Sequence, residues 1–189
     1  MTPPAAEPAR SRRTLWLILA VCIAPVVASY AAYFFFPRES KVNYGELLPV
    51  APLPPVAGTG VSGAPAALAS FKGQWLLLVA APGGCAADCE QRLYATRQAR
   101  AIQGREQDRV TRVWLVTDDA PPAPALLAQH PGLEIVRVPE AAISALPRGR
   151  QAIYAIDPLG NQVLAWPADP DIKAMARDLG RLLKASRIG

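Results

Sequence analysis

Residues 14–36, TLWLILAVCIAPVVASYAAYFFF, form an uncharged apolar run of 23 residues. A helix of that length extends ~35 Å and can cross a ~30 Å hydrocarbon core. Trp16 near one end and Tyr30 and Tyr33 near the other suit the two interfaces. Pro25 is a kink that a membrane span tolerates. The cleaved-signal reading expects an apolar core of about 7–15 residues, shorter than this one. Val27-Ala28-Ser29 could serve as a cleavage site, but Tyr, Phe, Phe and Phe would then border the mature chain. We therefore expect an uncleaved, single-pass anchor, and Cys22 within it is a small apolar filler.

Arg10, Arg12 and Arg13 precede the run, opposed by Glu7 alone. Arg38 and Lys41 follow it with Glu39 and Glu46. The bias places the tail, residues 1–13, in the cytoplasm and everything after Pro37 on the outer side. In a bacterial inner membrane that side is the periplasm, where disulfides persist. Residues 37–65 are rich in Pro and Gly and read as an extended linker. Within it, Asn43-Tyr44-Gly45-Glu46-Leu47-Leu48 is less linker-like. It docks either on the following domain or on a membrane partner, and the residues do not choose.

Residues 66–189 read as one domain. The chain carries 20 Lys and Arg against 15 Asp and Glu, a net charge of +5. No basic stripe is concentrated enough to neutralise phosphates, so nucleic acid is not a partner. Trp75–Ala81 is a short apolar run closed by Pro82-Gly83-Gly84, which reads as a buried strand. Residues 86–104 read as a helix. Val110–Thr117 and Leu133–Val138 read as strands, Pro124–Gln129 as a short helix and Glu140–Leu146 as a helical turn. Ala152–Ile156 and Gln162–Trp166 flank Asp157-Pro158-Leu159-Gly160-Asn161, a hairpin with a loop of about five residues. Ile172, Met175, Ala176, Leu179, Leu182 and Leu183 recur at helical spacing, capped by Asp169 or Asp171, with Lys184 and Arg187 at the far end. A βαβ unit followed by a hairpin and a closing helix predicts an α/β fold: a thioredoxin-like sheet with flanking helices.

Cys85-Ala86-Ala87-Asp88-Cys89 lies where the first strand turns into the first helix. Cysteines four apart share a helix face. Their sulfurs can bridge, or pinch a soft ion such as Cu(I) or Zn. The helix N-terminus favours thiolate at a nearby cysteine. Cys85, nearer that end and preceded by two glycines, is expected to be the more exposed and reactive. Cys89 would then resolve a mixed disulfide or complete a metal site. Asp88 and Glu90 oppose thiolate formation, and Arg92 favours it.

From Leu68 to Leu183 the chain resembles the Sco/SenC family of cytochrome c oxidase assembly proteins. The likeness is carried by Phe71-Lys72-Gly73-Gln74-Trp75, Gly84-Cys85 through Cys89, Val113-Trp114 through Asp118, and Tyr154-Ala-Ile-Asp-Pro158-Leu-Gly160. It implies a thioredoxin fold, a membrane anchor, Cu(I) on Cys85 and Cys89, and a cytochrome c oxidase subunit or assembly factor as partner. In that family a Pro usually follows the second cysteine, where Glu90 stands here. A copper-binding His precedes the hairpin, a place that falls at about Gly149. The single histidine, His130, is expected at the opposite edge of the sheet as an ordinary surface residue. Thioredoxin-type enzymes usually carry a cis-Pro just before the hairpin strand, where this chain has Arg150-Gln151. Two other readings fit the same residues. One is a general periplasmic thiol–disulfide oxidoreductase. The other is a non-catalytic partner-binding module working through Arg148, Arg150 and the proline-rich arm.

Overall fold

The computed structural model describes residues 10–35, 43–60 and 63–186. The chain divides into two units, residues 1–42 and 43–189. In the first, helix α1 (Arg10–Phe35) carries a segment, Arg13–Ala32, long and apolar enough to cross a membrane. No part of that segment is buried within the protein. Pro25 lies inside α1, and the Ser29 hydroxyl donates to its carbonyl at 2.8 Å. The expected tail up to residue 9, the flanking Arg38, Glu39 and Lys41, and the terminal Arg187 lie outside the described residues.

In the second unit every side chain of β4 (Trp75–Ala81) is buried. Strands alternate their side chains. Trp75, Leu77, Val79 and Ala81 therefore enter one core, and Leu76, Leu78 and Ala80 the other. A strand enclosed on both faces needs an unbroken apolar run, which is what the sequence supplies. Helix α2 (Ala87–Ala101) follows. Strand β5 (Val110–Val116) then pairs with β4 in parallel, from Trp75 opposite Val110 to Ala81 opposite Val116. Helix α3 (Pro124–Gln129) leads to β6 (Leu133–Arg137), again parallel, and α4 (Glu140–Ser144) to β7 (Ala152–Ile156). Strand β8 (Asn161–Pro167) returns as a hairpin. Asp157 closes its turn by accepting the Leu159 and Asn161 N–H groups at 2.9 and 2.7 Å. Gly160 adopts φ 91°, which side-chain-bearing residues rarely reach. Helix α5 (Ile172–Ala185) ends the domain. Of the two candidate caps, Asp171 takes the position, accepting the Ala174 N–H at 3.0 Å. That bond holds its carboxyl below the ordinary value. Asp169 instead accepts from Gln91.

The described part of the expected linker is not a linker. Strands β1 (Glu46–Pro52), β2 (Ala57–Gly60) and β3 (Pro65–Ala67) complete a sheet ordered β1-β8-β7-β4-β5-β6-β2-β3. β1 runs antiparallel to β8, and β2 antiparallel to β6. The compact unit therefore begins at Asn43 rather than at residue 66. Proline is tolerated in β1 because an edge strand leaves one row of N–H groups unpaired. The Asn43–Leu48 segment docks on the domain. The Tyr44 hydroxyl accepts the Asp171 N–H at 3.0 Å, Gly45 N–H donates to Asp178 at 2.8 Å, Glu46 pairs with Arg148, and Leu48 is buried. One core, beneath α2 and α5, holds Leu93, Trp114, Trp166, Met175 and Leu179. The other holds Leu68, Val113, Ile143 and Tyr154.

His130 is buried, with 4% of its surface exposed, contrary to the surface position expected for it. Its Nδ1 lies 3.5 Å from the guanidinium of Arg112, itself buried in β5. The reason is the charged residue inside an apolar strand. Arg112 needs acceptors, and the His130-Pro131 turn closes over it, Pro131 accepting at 2.6 Å. Burial first, then Arg100 and Arg97, pushes Arg112 down to about 10. Burial first, then Arg112 and Arg97, holds His130 below its ordinary 6.5. The sign follows from linkage. Between the two values the unfolded chain binds the proton that the folded chain refuses. His130 therefore contributes stability that is full above about pH 6.5 and is lost as pH falls through its lower folded value. The melting temperature should fall between pH 7.5 and 5, and His130→Gln should flatten that limb. An unchanged slope in the variant would refute the assignment.

Candidate functional site

The site starts where β4 runs out. Pro82 cannot continue the ladder. The chain turns so that Cys85 N–H donates to the Pro82 carbonyl at 3.1 Å. Gly83 N–H donates to the Asp118 carboxylate at 2.7 Å, fixing the turn against the loop after β5. Cys85 takes φ 33°, the one non-glycine residue with positive φ among those described. Such a conformation costs roughly 1–2 kcal/mol and is concentrated at functional sites. Ala86 then caps α2, without a side-chain hydrogen bond.

Cys85 and Cys89 are joined as a disulfide, with Cα atoms 5.2 Å apart. Both sulfur-bearing residues pack into the core beneath α2 and α5. Cys85 is 6% exposed and Cys89 1%. The order matches the expectation for Cys85, although neither is open surface. A cleft of about 400 Å³ leads to the pair, lined by Pro82, Gly84, Asp88, Arg92, Arg150 and Gln151 among others. Cys22, in α1, is the free cysteine.

Arg92 and Arg150 both line the cleft. Arg92 is buried and takes four acceptors: the Asp88 carbonyl at 3.2 Å, its carboxylate at 3.0 Å, the Ala80 carbonyl at 3.3 Å, and the Arg150 carbonyl. Arg150 in turn pairs with Glu140. The segment 148–151 is thereby tied to the first turn of α2 and to the end of β4. The sequence marks Arg92 only as a cation near the thiols. Its bond to the Arg150 carbonyl depends on a fold that brings positions 58 residues apart together.

A third donor beside the two sulfurs is what a copper site of the expected kind would need. Reduced, Cys85 and Cys89 offer two thiolates. Among the described residues no group of three His, Cys, Asp or Glu side chains is placed to hold a metal. His130 does not help. Leu77 pairs with Arg112 and Arg112 with Leu133, so His130 sits at the start of the parallel strands. Ala81, at the end of β4, is four strand residues beyond Leu77, or roughly 13 Å, and the cysteines follow it. Its ring faces a guanidinium rather than a vacant coordination place. At the hairpin side of the cleft stand Arg150 and Gln151. These residues do not complete a site of two sulfurs and a nitrogen.

A family of transmembrane-like, thioredoxin-like C-terminal domains matches residues 75–186. No curated protein matches the sequence. Among solved structures the fold is similar to copper-bound ScoI of Bradyrhizobium japonicum, 20% identical, covering 69% of this chain and 99% of that one with a TM-score of 0.54. It is similar to copper-bound yeast Sco1, 16% identical over 71% and 94%, TM-score 0.61. It is also similar to the thioredoxin domain of a Bacteroides vulgatus thiol-disulfide oxidoreductase, 16% identical over 72% and 99%, TM-score 0.53. At these identities the likeness establishes a Sco-like thioredoxin fold.

Proposed function

Because this chain belongs to the family of transmembrane-like, thioredoxin-like C-terminal domains, we propose that it is a membrane-anchored thiol–disulfide protein of cytochrome c oxidase assembly. On this reading α1 holds it in a bacterial inner membrane with the C-terminal domain in the periplasm. The observation that carries the reading is the Cys85–Cys89 disulfide at a strand–helix junction, reached by a cleft. Disulfide exchange needs two sulfurs and access. The Sco-like fold supplies the link to oxidase, since BsSco, another structure of similar fold, is named as a member of a family of cytochrome c oxidase assembly proteins.

The chemistry balances with the chain's own atoms. In the reduced protein the Cys85 thiolate attacks one sulfur of a partner's disulfide. A mixed disulfide forms and the partner's other sulfur leaves as thiolate. The Cys89 thiolate then attacks Cys85 Sγ, re-forming the bond seen in the structure and releasing the partner as a dithiol. Two electrons pass from this pair to the partner. Cys85 is the attacking sulfur because it is the less enclosed of the two.

The test pairs chemistry with assembly. In nanodiscs, maleimide trapping of the full chain in graded dithiothreitol should show Cys85 and Cys89 cycling together while Cys22 stays constant. Cells lacking the protein should lose oxidase activity, regained with the wild type but not with Cys85→Ser. Restoration by Cys85→Ser would remove the cysteine mechanism. Normal oxidase with scrambled disulfides elsewhere would favour the general oxidoreductase. One equivalent of Cu(I) resisting a chelator, lost in Cys85→Ser, would move the function to metal transfer.

A further inference from the structure

Resting on the reading of α1 as a membrane anchor, we infer that the exposed face of α5 is a docking surface for anionic lipid headgroups. Helix α5 carries Lys173, Arg177, Arg181 and Lys184, and Asp178 is the sole acid within it. All four cations are exposed, while Met175, Leu179 and Leu183 enter the core. At 3.6 residues per turn the four fall within an arc of about 80°, opposite the core side, in a row ~17 Å long. Spread through the sequence, these charges gather only when the helix forms. The row is not what the helix itself favours. Lys173 stands in the first turn, where the dipole disfavours a cation. Lys173 and Arg177, and again Arg177 and Arg181, are like charges four apart, which repel. Among the described residues Lys173, Arg177 and Lys184 make no ion pair and no side-chain hydrogen bond. Carboxylates offset part of the charge. Asp171 at the cap stands near Arg177 and Lys173, and the buried Asp178 pairs with Arg181. Glu106, across from the row, pairs with Arg109. Four cations against Asp171 and Asp178 still leave two positive charges on this face.

The length of chain before the domain favours lipid as the occupant. Tyr44 and Gly45 are bonded to Asp171 and Asp178, so the chain enters the domain along the flank of α5. Only seven residues, 36–42, lie between Phe35 at the end of α1 and Asn43. Fully extended, such a tether spans at most about 28 Å. In an anchored chain a lipid surface is therefore always within reach, whereas an acidic protein would have to arrive by diffusion. The surroundings of the row suit the same occupant. A cleft of about 430 Å³ is lined by Arg177, Arg181 and Lys184 together with Ile102, which is 57% exposed. Cations beside an exposed apolar side chain are what an interfacial element presents, the cations to phosphates and the apolar group to the edge of the acyl region.

Lysine acylation reads the docking directly. The chain has four lysines, of which Lys173 and Lys184 lie in the row. Lys72 is an internal control, since it follows Phe71, which packs on the other core. The full chain is placed in nanodiscs of phosphatidylcholine, alone or mixed with phosphatidylglycerol. Acylation by an N-hydroxysuccinimide ester is then followed by mass spectrometry. With the anionic lipid, Lys173 and Lys184 should react about fivefold more slowly, the factor by which one cation near such a surface shifts the balance. Lys72 should be unchanged. Salt of about 0.5 M should erase the difference by screening. Arg177→Glu, at an exposed position, should cut the slowing to about twofold, and Arg177→Lys should keep it. Should Arg177→Glu fail to fold, the salt dependence of the parent decides. Equal rates on the two lipids would overturn lipid docking and leave the row to an acidic protein. Slowing at Lys72 as large as at Lys173 would also overturn it, as would slowing that salt leaves intact. A chain that elutes apart from the discs would overturn the anchor reading itself.

Discussion

Asp178→Ala should cost the domain roughly 3–5 kcal/mol, a fall in melting temperature of about 10 °C for a domain of this size. Asp178 is 2% exposed on α5. One carboxylate oxygen accepts the Gly45 N–H at 2.8 Å and the Trp166 indole N–H at 3.1 Å. The other pairs with Arg181 at 3.2 Å. Alanine strands two donors, each costing about 1–3 kcal/mol when left without an acceptor. The Arg181 pair adds little, because that guanidinium is half in water. The loss should be uneven. Gly45 is where β1 joins the domain, and a side chain there would collide with Leu164 and Trp166. Hydrogen exchange should therefore rise first at Leu47 and Ala51, ahead of the amides of β4. Asp178→Asn should fall between the two proteins, since its amide oxygen can still accept from one donor. A melting temperature for Asp178→Ala within 2 °C of the parent would show that the buried carboxylate is not holding β1.

The same segment shows where the sequence stops being legible. Strands β4 and β5, the hairpin and α5 announce themselves through local pattern: a continuous apolar run, a Pro-Leu-Gly turn, apolar residues at helical spacing. β1 and β2 do not. Glu46-Leu-Leu-Pro-Val-Ala-Pro52 has the composition of a linker, and only its partner β8, more than 100 residues away, makes it a strand. Proline and glycine describe what a chain can do alone, and edge strands are defined by what lies beside them. His130 fails for a related reason. Histidine before Pro-Gly reads as an exposed turn, and nothing nearby reports that Arg112 of β5 lies beneath it. The cysteine pair was legible because its spacing and its strand–helix junction are local. The arginine that walls its cleft was legible as a charge but not as a link between β4, α2 and the 148–151 segment. Long-range contacts of single polar side chains leave no period in a sequence.

Two adjacent glycines make the last expectation a controlled one. Pro82-Gly83-Gly84 reads simply as a turn, yet its glycines have different surroundings. A Cβ on Gly83 would stand inside the Ala120 carbonyl, far closer than van der Waals contact, whereas a Cβ on Gly84 meets nothing within 4 Å. Neither glycine has positive φ, so the backbone angle itself penalises neither alanine. The obstacle at Gly83 is main chain, and the Ala120 carbonyl is also held by Arg137 at 3.3 Å. The 118–120 loop therefore has to move, or the turn that presents Cys85 does. Overpacking of that kind costs about 1–3 kcal/mol, and a displaced turn also lengthens the bond between Gly83 N–H and Asp118 that fixes it. Gly83→Ala should lower the melting temperature by several degrees and change the alkylation rate of reduced Cys85 several-fold. Gly84→Ala should leave stability within about 0.5 kcal/mol of the parent, as substitutions away from packed features do. Equal effects from the two alanines would mean that the turn tolerates movement at Ala120, and that Cys85 is placed by the disulfide and α2 rather than by the junction leading into them.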